Sequence, residues 1–201
     1  MANQELFGFI ILFLLGMLVV VKRLASGSVL ERLLGGPLGK LVNGFNLFFL
    51  LLVNPLAAIA LVTRRLAAID PTRVAITGTP LLVLEIAGLV LYVAGFILMA
   101  WALIALGRGY QLGGCPPRPE DRMVMTGPYG LIRNPMYTAA LGIALGLACL
   151  LQSPAFFAVF VVYLVLILLL IPLEEKGLLG KYGGPNAAYR QKTRKLIPLV
   201  Y

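Results

Sequence analysis

The chain has 201 residues, of which 60% are hydrophobic and 12% charged, and its mean hydropathy is +0.95. Soluble domains typically contain about 45–50% apolar and about 25% charged residues, so this composition excludes an ordinary soluble domain. The sequence has no histidine, which excludes imidazole metal sites and histidine-dependent triads, and its net charge of +9 favours anionic lipid over nucleic acid as a partner.

Five apolar stretches predict membrane-spanning helices. They run approximately 5–21, 45–62, 81–106, 137–151 and 154–173. Because a span needs roughly 20 apolar residues, the third and fifth fit well, whereas the fourth is short. The first has no small-residue cleavage site and is predicted to remain in the mature chain. We therefore predict an all-α integral membrane helical bundle with about five transmembrane helices and a C-terminal cytoplasmic helical segment.

Local signals indicate how these helices are shaped and joined. The Asn54-Pro55 pair interrupts the second stretch and is expected to kink it, because proline lacks a backbone donor. Residues 152–154 leave only a tight turn, which predicts an antiparallel hairpin of the fourth and fifth helices. Gly142 and Gly146 form a GxxxG motif, which lets a neighbouring backbone approach closely.

The basic residues predict an orientation. With five spans, the loops 22–43 and 107–136 and the tail 174–201 lie on one side and contain 14 of the 17 basic residues. The positive-inside rule places this side in the cytoplasm and the N-terminus outside. Because no targeting signal is recognisable, the expected location is a prokaryotic inner membrane. The two most polar segments then lie on the same face, so a site is expected there.

The loop 107–136 has two interpretations. Its glycines at 107 and 109 faintly match a dinucleotide loop, but they follow a membrane helix rather than a strand, so we reject that motif. In the first interpretation the loop is a juxtamembrane cap, with Arg133 reaching lipid headgroups and Tyr129 and Tyr137 in the aromatic belt. In the second it forms part of a ligand site, because irregular backbone at a membrane surface must find partners for its amides.

Two adjacent carboxylates, Glu174 and Glu175, follow the fifth apolar stretch. An acidic group at a cytoplasmic membrane face is repelled by anionic lipid and is costly if it moves inward. One interpretation is a solvated helix end with a basic counter-ion. The other is an anionic anchor for a cationic ligand, with nearby tyrosine faces available for cation–π contact.

A longer pattern joins these segments. It consists of Gly127-Pro128-Tyr129, Arg133-Asn134-Pro135, Tyr137, a hydrophobic hairpin, Glu174-Glu175, Leu178, Tyr182-Gly183, Tyr189 and Pro198. The pattern resembles the isoprenylcysteine carboxyl methyltransferase family, part of a wider membrane methyltransferase group that includes phospholipid N-methyltransferases. The resemblance covers roughly residues 107–201. It implies that residues 1–80 form N-terminal transmembrane helices 1 and 2, and that residues 81–201 form a methyltransferase-like core.

The resemblance also implies S-adenosylmethionine as cofactor, methyl transfer to a lipophilic or lipid substrate, and a site at the cytoplasmic face. Family cofactor contacts would fall on Gln111, Met123, Val124, Tyr129, Asn134, Pro135, Met136, Tyr137 and Glu174. Glu174 would bind the cofactor's amino group, and Glu175 would support Glu174 without contacting the cofactor directly. Arg133, as a basic group for an anionic acceptor or the cofactor carboxylate, and Asn134 are the candidate catalytic residues. No metal is required.

Two departures from the family pattern keep alternatives open. Asn134 stands where the family usually has histidine, and it can hydrogen-bond but cannot carry a proton. Leu170 stands where eukaryotic members have an arginine that meets the substrate carboxylate. One alternative is an NADPH-dependent membrane reductase related to sterol reductases, whose C-terminal segment is similar. The other is a non-catalytic membrane scaffold of the same fold.

Overall fold

The structure is a computed structural model that describes residues 3–28, 36–112 and 121–197. Its helices are α1 (Gln4–Ser26), α2 (Pro37–Phe48), α3 (Asn54–Val62), α4 (Leu66–Ile69), α5 (Gly78–Leu106), α6 (Pro135–Leu151), α7 (Pro154–Tyr182) and α8 (Gly184–Lys192). A π-helical turn (Phe49–Val53) joins α2 to α3, and 3₁₀ turns lie at Gly107–Gly109 and Gly127–Gly130. Of the sequence features named above, Pro198 and parts of the loops 22–43 and 107–136 lie outside the described residues.

The predicted membrane bundle is confirmed. Four helical segments in the described part of the chain are long and apolar enough to cross a bilayer: Gln4–Ser26, Pro37–Val62, Gly78–Gly109 and Pro154–Tyr182. The fourth predicted span, α6, is an apolar helix of 17 residues, which corresponds to about 25 Å at 1.5 Å per residue. Large apolar side chains such as Phe13 and Ile97 are more than half exposed and face outward. This surface requires lipid around it.

Glycines let α5 and α6 approach closely. A Cβ added at Gly146 would lie 2.6 Å from the backbone nitrogen of Tyr92 and 2.7 Å from the carbonyl oxygen of Gly88. A Cβ at Gly142 would meet the carbonyl oxygen of Leu91 at 3.4 Å, which is ordinary contact. The predicted role of the GxxxG motif in packing is therefore confirmed, and Gly146 is its more restrictive position.

The Asn54-Pro55 pair does not end a helix. The π-helical turn directly precedes it, and the helix continues to Val62. The Asn54 side-chain amide donates to the Phe49 carbonyl at 2.8 Å, and Tyr92 of α5 donates to Asn54 Oδ1 at 2.7 Å. These bonds satisfy polar groups inside the bilayer, where an unpaired group is costly.

Helix α7, which contains the fifth predicted span, is longer than predicted. The apolar run ends near residue 173, but α7 continues to Tyr182 and includes Pro172 in its interior. The interpretation of Glu174 and Glu175 as a helix end is therefore wrong, since both lie on an extended helix with its last two turns beyond them. The hairpin turn before α7 agrees with the sequence: Gln152 adopts a left-handed conformation, and Ser153 Oγ accepts from the Phe156 backbone nitrogen.

Candidate functional site

The loop before α6 and the chain after α7 meet in the structure. Ile132 and Arg194 form an isolated parallel bridge, and the Arg133 backbone nitrogen donates to the Arg194 carbonyl at 2.7 Å. The Tyr189 hydroxyl of α8 donates to the Tyr129 carbonyl at 2.6 Å. The two polar segments that the sequence placed on one face therefore form one unit, joined by hydrogen bonds between residues about 60 positions apart in sequence.

This unit closes one end of a cavity of about 670 Å³. Ligand sites typically have volumes of about 300–1,000 Å³, so the cavity is large enough for a cofactor and part of a substrate. Every predicted site residue except Glu175 lines it: Gln111, Met123, Val124, Tyr129, Arg133, Asn134, Pro135, Met136, Tyr137 and Glu174. Away from this end, the lining consists largely of apolar residues of α1, α2 and α5.

Glu174 is one of two acidic residues that line the cavity, the other being Asp121. The Oε1 of Glu174 accepts a hydrogen bond of 2.7 Å from the hydroxyl of Tyr137, which lies in the first turn of α6. A hydroxyl bonded to an ionised carboxylate forms a charge-assisted bond and fixes the orientation of the carboxylate. The acidic group is thereby held against the cavity by a helix other than its own.

Buried tyrosines lie beside this carboxylate. Tyr129 and Tyr137 are each 9% exposed, so the interpretation of both as aromatic-belt residues is wrong. Burial raises the pKa of Tyr129 well above its ordinary value, and repulsion from Glu174 acts in the same direction. Tyr129 therefore stays neutral at physiological pH and offers a polarisable face and a hydroxyl rather than a charge.

Glu175 points away from the cavity into an ion-pair network. Its Oε1 accepts from Arg133 Nε at 2.9 Å, and its Oε2 accepts from Arg190 Nη2 at 3.0 Å. Arg133 Nη1 also donates to the carbonyls of Arg190, at 3.0 Å, and Thr193. The network joins α7, the start of α6 and α8. The structure thus uses Arg133 and Glu175 to hold the C-terminal segment, a role that sequence reasoning did not assign to either residue.

Asn134 also holds the tail. Both its backbone nitrogen and its Nδ2 donate to the Lys195 carbonyl, each at 3.1 Å. The next residue, Pro135, begins α6. Proline is favourable there, because the first N–H groups of a helix have no partner within the helix. Asn134 therefore lies at the cavity wall as part of the joint between helix and tail.

The remaining predicted residues lie on the loop side of the cavity. Gln111 donates a short hydrogen bond to Asp121, whose carbonyl oxygen accepts from Tyr182 of α7 at 3.0 Å. Met123 accepts from Asn186 Nδ2 at 3.6 Å, and the Asn186 Oδ1 is buried without a partner in the described part of the chain. These contacts bring the loop against the end of α7 and the start of α8.

Sequence reasoning missed several polar residues of the cavity. Asn186 of α8 and the Asn46 and Tyr163 pair of the membrane-spanning helices all line it. The signal for Asn46 was available, because an asparagine inside an apolar span is expensive unless it has a partner or a function. Leu170 also lines the cavity and is 1% exposed, so the wall is apolar where eukaryotic relatives are expected to have a cation.

Comparisons with known proteins agree with this architecture. The solved structure of isoprenylcysteine carboxyl methyltransferase, described as the eukaryotic intramembrane Ras methyltransferase, is similar to the chain with a TM-score of 0.52 and 18% identity. The match covers 92% of this chain and 74% of that chain, and at this identity it concerns the fold. The family model described as phospholipid methyltransferase matches residues 83–184, just over half of the chain. A search of the curated protein sequences with this chain finds no match. The resemblance to membrane methyltransferases drawn from the sequence is confirmed.

Proposed function

The chain belongs to the phospholipid methyltransferase family, and we propose that it transfers a methyl group from S-adenosylmethionine to a lipophilic acceptor at the cytoplasmic face of a membrane. Family and fold together indicate a membrane methyltransferase. The observation that supports this proposal best is the Glu174–Tyr137 pair, which lies in a cavity that is polar at one end and apolar at the other.

The residues present fit the cofactor. S-adenosylmethionine has a cationic amino group and supplies a methyl group already activated on a sulfonium. In our proposal the Glu174 carboxylate, held by Tyr137, binds the amino group. Tyr129 and Tyr137 line the cavity near this carboxylate, and an aromatic ring attracts a cationic centre. Gln111, Met123, Val124, Asn134, Pro135 and Met136 form the rest of this wall.

The acceptor would approach from the apolar end. Leu51, at the junction of α2 and α3, lines the cavity and is 48% exposed, and Leu173, next to Glu174 on α7, also lines it and is 59% exposed. A lipid could enter between these helices while the polar cofactor enters from the aqueous side. The protein's main task is then to exclude water and hold the nucleophile in line at about 3–3.5 Å from the methyl carbon.

Arg133, Asn134 and Glu175 support the site in this proposal by fixing the C-terminal segment, and residues 81–201 act as its core. The basic residues that reach this end of the bundle favour placing it in the cytoplasm, with the N-terminus outside. The membrane would be a prokaryotic inner membrane.

Cofactor binding provides the test. We expect Glu174→Gln in detergent-purified protein to weaken S-adenosylmethionine binding by about 10- to 100-fold in calorimetry, because a hydrogen bond to a charged group contributes about 1.5–3 kcal/mol. Tyr129→Ala should also weaken it. Glu5→Gln, at an exposed carboxylate paired with Arg64, is the matched control and should bind as wild type.

Unchanged affinity in both cavity variants would contradict the site assignment. Stabilisation by NADPH without stabilisation by S-adenosylmethionine would instead favour the reductase. Label from radioactive S-adenosylmethionine that appears in an extractable lipid, after incubation with a total lipid extract, would establish the reaction class and the acceptor together.

A further inference from the structure

The end of the described tail runs beside the start of α6 and towards the membrane. The Arg133 backbone nitrogen donates to the Arg194 carbonyl at 2.7 Å, and further along α6 the Thr138 hydroxyl donates to the Leu196 carbonyl, also at 2.7 Å. Because α6 leads from this end of the bundle into the membrane-spanning hairpin, the two segments advance in the same direction. The tail therefore comes closer to the hydrocarbon between Arg194 and Leu196.

A tryptophan marks the level of the membrane interface at this end of the bundle. Trp101, the only tryptophan of the chain, lies near the end of α5 and is 45% exposed. Tryptophan is enriched where the hydrocarbon meets the lipid headgroups. A Cβ added at Gly127, in the turn before α6, would lie 3.2 Å from Trp101 Nε1. The loop that pairs with the tail therefore lies at the depth of the interface.

The outer surface of this paired unit is both apolar and basic. Leu131 and Ile197 are 59% and 53% exposed. Lys192 and Arg194 are also exposed, and neither forms an ion pair among the described residues. The nearby carboxylate of Glu175 is already occupied by two arginines. Exposed apolar side chains beside such cations are typical of amphipathic segments that lie in a membrane interface.

We propose that residues 192–197, together with Leu131, form a docking segment that binds an anionic lipid leaflet at this end of the bundle. Ile197 and Leu131 enter the boundary between headgroups and acyl chains, while Lys192 and Arg194 bind anionic headgroups. The lipid acts here as a surface, and its binding requires neither the cofactor nor a methyl acceptor. Since the tail is hydrogen-bonded to the loop that closes the cavity, anionic lipid would hold this end of the cavity in place. Lipid composition would thereby regulate access to the site.

Quenching of tryptophan fluorescence by brominated lipid tests the docking. The full chain with Trp101→Phe and Ile197→Trp has its single fluorescence reporter at position 197. It would be placed in nanodiscs of phosphatidylcholine with brominated acyl chains, and in the same nanodiscs containing added phosphatidylglycerol. We expect phosphatidylglycerol to increase the quenching of this reporter, and added salt to reverse the increase by screening the surface charges.

Removal of the two cations identifies the anionic partner. Lys192→Gln with Arg194→Gln, in the reporter background and with phosphatidylglycerol present, should lower the ratio of docked to undocked segment by about 10- to 30-fold, as two cations at an anionic surface allow. The matched control is Arg64→Gln with Arg65→Gln, at two exposed arginines on the other end of the bundle. It should leave the quenching unchanged.

A reporter at position 197 that bromine does not quench in either lipid would overturn the proposal, because the segment would then lie in water. Quenching that neither phosphatidylglycerol nor the loss of both cations changes would also overturn it, because anionic headgroups would not be the partner. If the reporter variant does not fold, hydrogen exchange of the unmodified chain gives the answer. Phosphatidylglycerol should slow amide exchange in residues 192–197 and leave Leu66–Ile69, at the other end, unchanged. Equal exchange of residues 192–197 in both lipids would overturn the proposal.

Discussion

Replacing Glu175 with alanine removes the carboxylate that joins three segments of the chain. Glu175 lies on α7, its two oxygens accept from Arg133 and Arg190 at 2.9 and 3.0 Å, and its side chain is 7% exposed. The side chain of Arg133 is 11% exposed and that of Arg190 is 35% exposed. Alanine at position 175 would therefore leave one guanidinium buried without its counter-ion and return the other largely to water.

The size of the effect follows from these exposures. Removing one partner of a buried ion pair costs about 3–5 kcal/mol, because the remaining charge is uncompensated. Arg133 keeps its bonds to the carbonyls of Arg190 and Thr193, so we expect the lower end, about 3 kcal/mol. For a chain of this length, that loss lowers the melting temperature by about 6–12 °C. Arg190→Ala should cost less, because that pair is more exposed.

The neighbouring residue supplies the comparison. Thermal melts of wild type, Glu175→Ala and Glu174→Ala in the same detergent should separate two roles. Glu175→Ala should melt early and expose the bonds after Lys192 and Arg194 to trypsin, because the tail loses its anchor. Glu174→Ala should melt near wild type but lose the stabilisation that we expect S-adenosylmethionine to give the wild-type protein. If Glu175→Ala melted like wild type with a protected tail, the ion-pair network would not hold the C-terminal segment.

Two further changes test the packing and the face opposite the site. Gly146→Ala should lower the free energy of unfolding by about 1–3 kcal/mol, because the new Cβ would lie 2.6 Å from a backbone atom of α5. Gly16→Ala is the control, since a Cβ at Gly16 would meet no atom within 4 Å. Equal melting temperatures of the two variants would contradict the close packing of α5 and α6. Burial raises the pKa of Asp70, but hydrogen bonds from Ser153 and Thr72 outweigh it and hold the pKa below its ordinary 3.8. Because the folded-state pKa is depressed, Asp70 stabilises the fold above about pH 4, and this stabilisation is lost as the pH falls further. Between about pH 5 and pH 3, the melting temperature of wild type should therefore fall more than that of Asp70→Asn. Parallel plots of melting temperature against pH for the two proteins would refute this.

The membrane architecture was largely predictable because each span must bury its own backbone and present apolar side chains to lipid. Hydropathy alone therefore located the five helices, and the Gly142–Gly146 spacing identified a close packing face. The error at α7 has the same origin. Hydropathy marks where the apolar run ends, near residue 173, but backbone hydrogen bonds continue the helix through more polar sequence to Tyr182.

The site was predictable only in part, because contacts between distant segments leave little trace in a single sequence. The residues with a motif, such as Tyr129, Tyr137 and Glu174, were named in advance and line the cavity. Whether a particular arginine would face a ligand or a neighbouring carboxylate was not predictable, since Arg133 and Glu175 are 42 residues apart and meet through tertiary packing. The hydrogen bond between Tyr163 and Asn46 was not predictable for the same reason, since these residues are 117 positions apart.

The proposed chemistry agrees with the way polar groups are used around the cavity. Asn134 cannot accept and release a proton, and burial keeps Tyr129 neutral. Glu174 is engaged by Tyr137 and, in our proposal, by the cofactor. The carboxylate of Asp121, which also lines the cavity, accepts from Gln111. In our proposal these groups bind and orient the ligands rather than remove a proton from the acceptor. Since the methyl group comes activated on a sulfonium, the reaction requires only a nucleophile that is already unprotonated, such as a carboxylate or a free amine. The rate should then follow the ionisation of the acceptor rather than that of the enzyme.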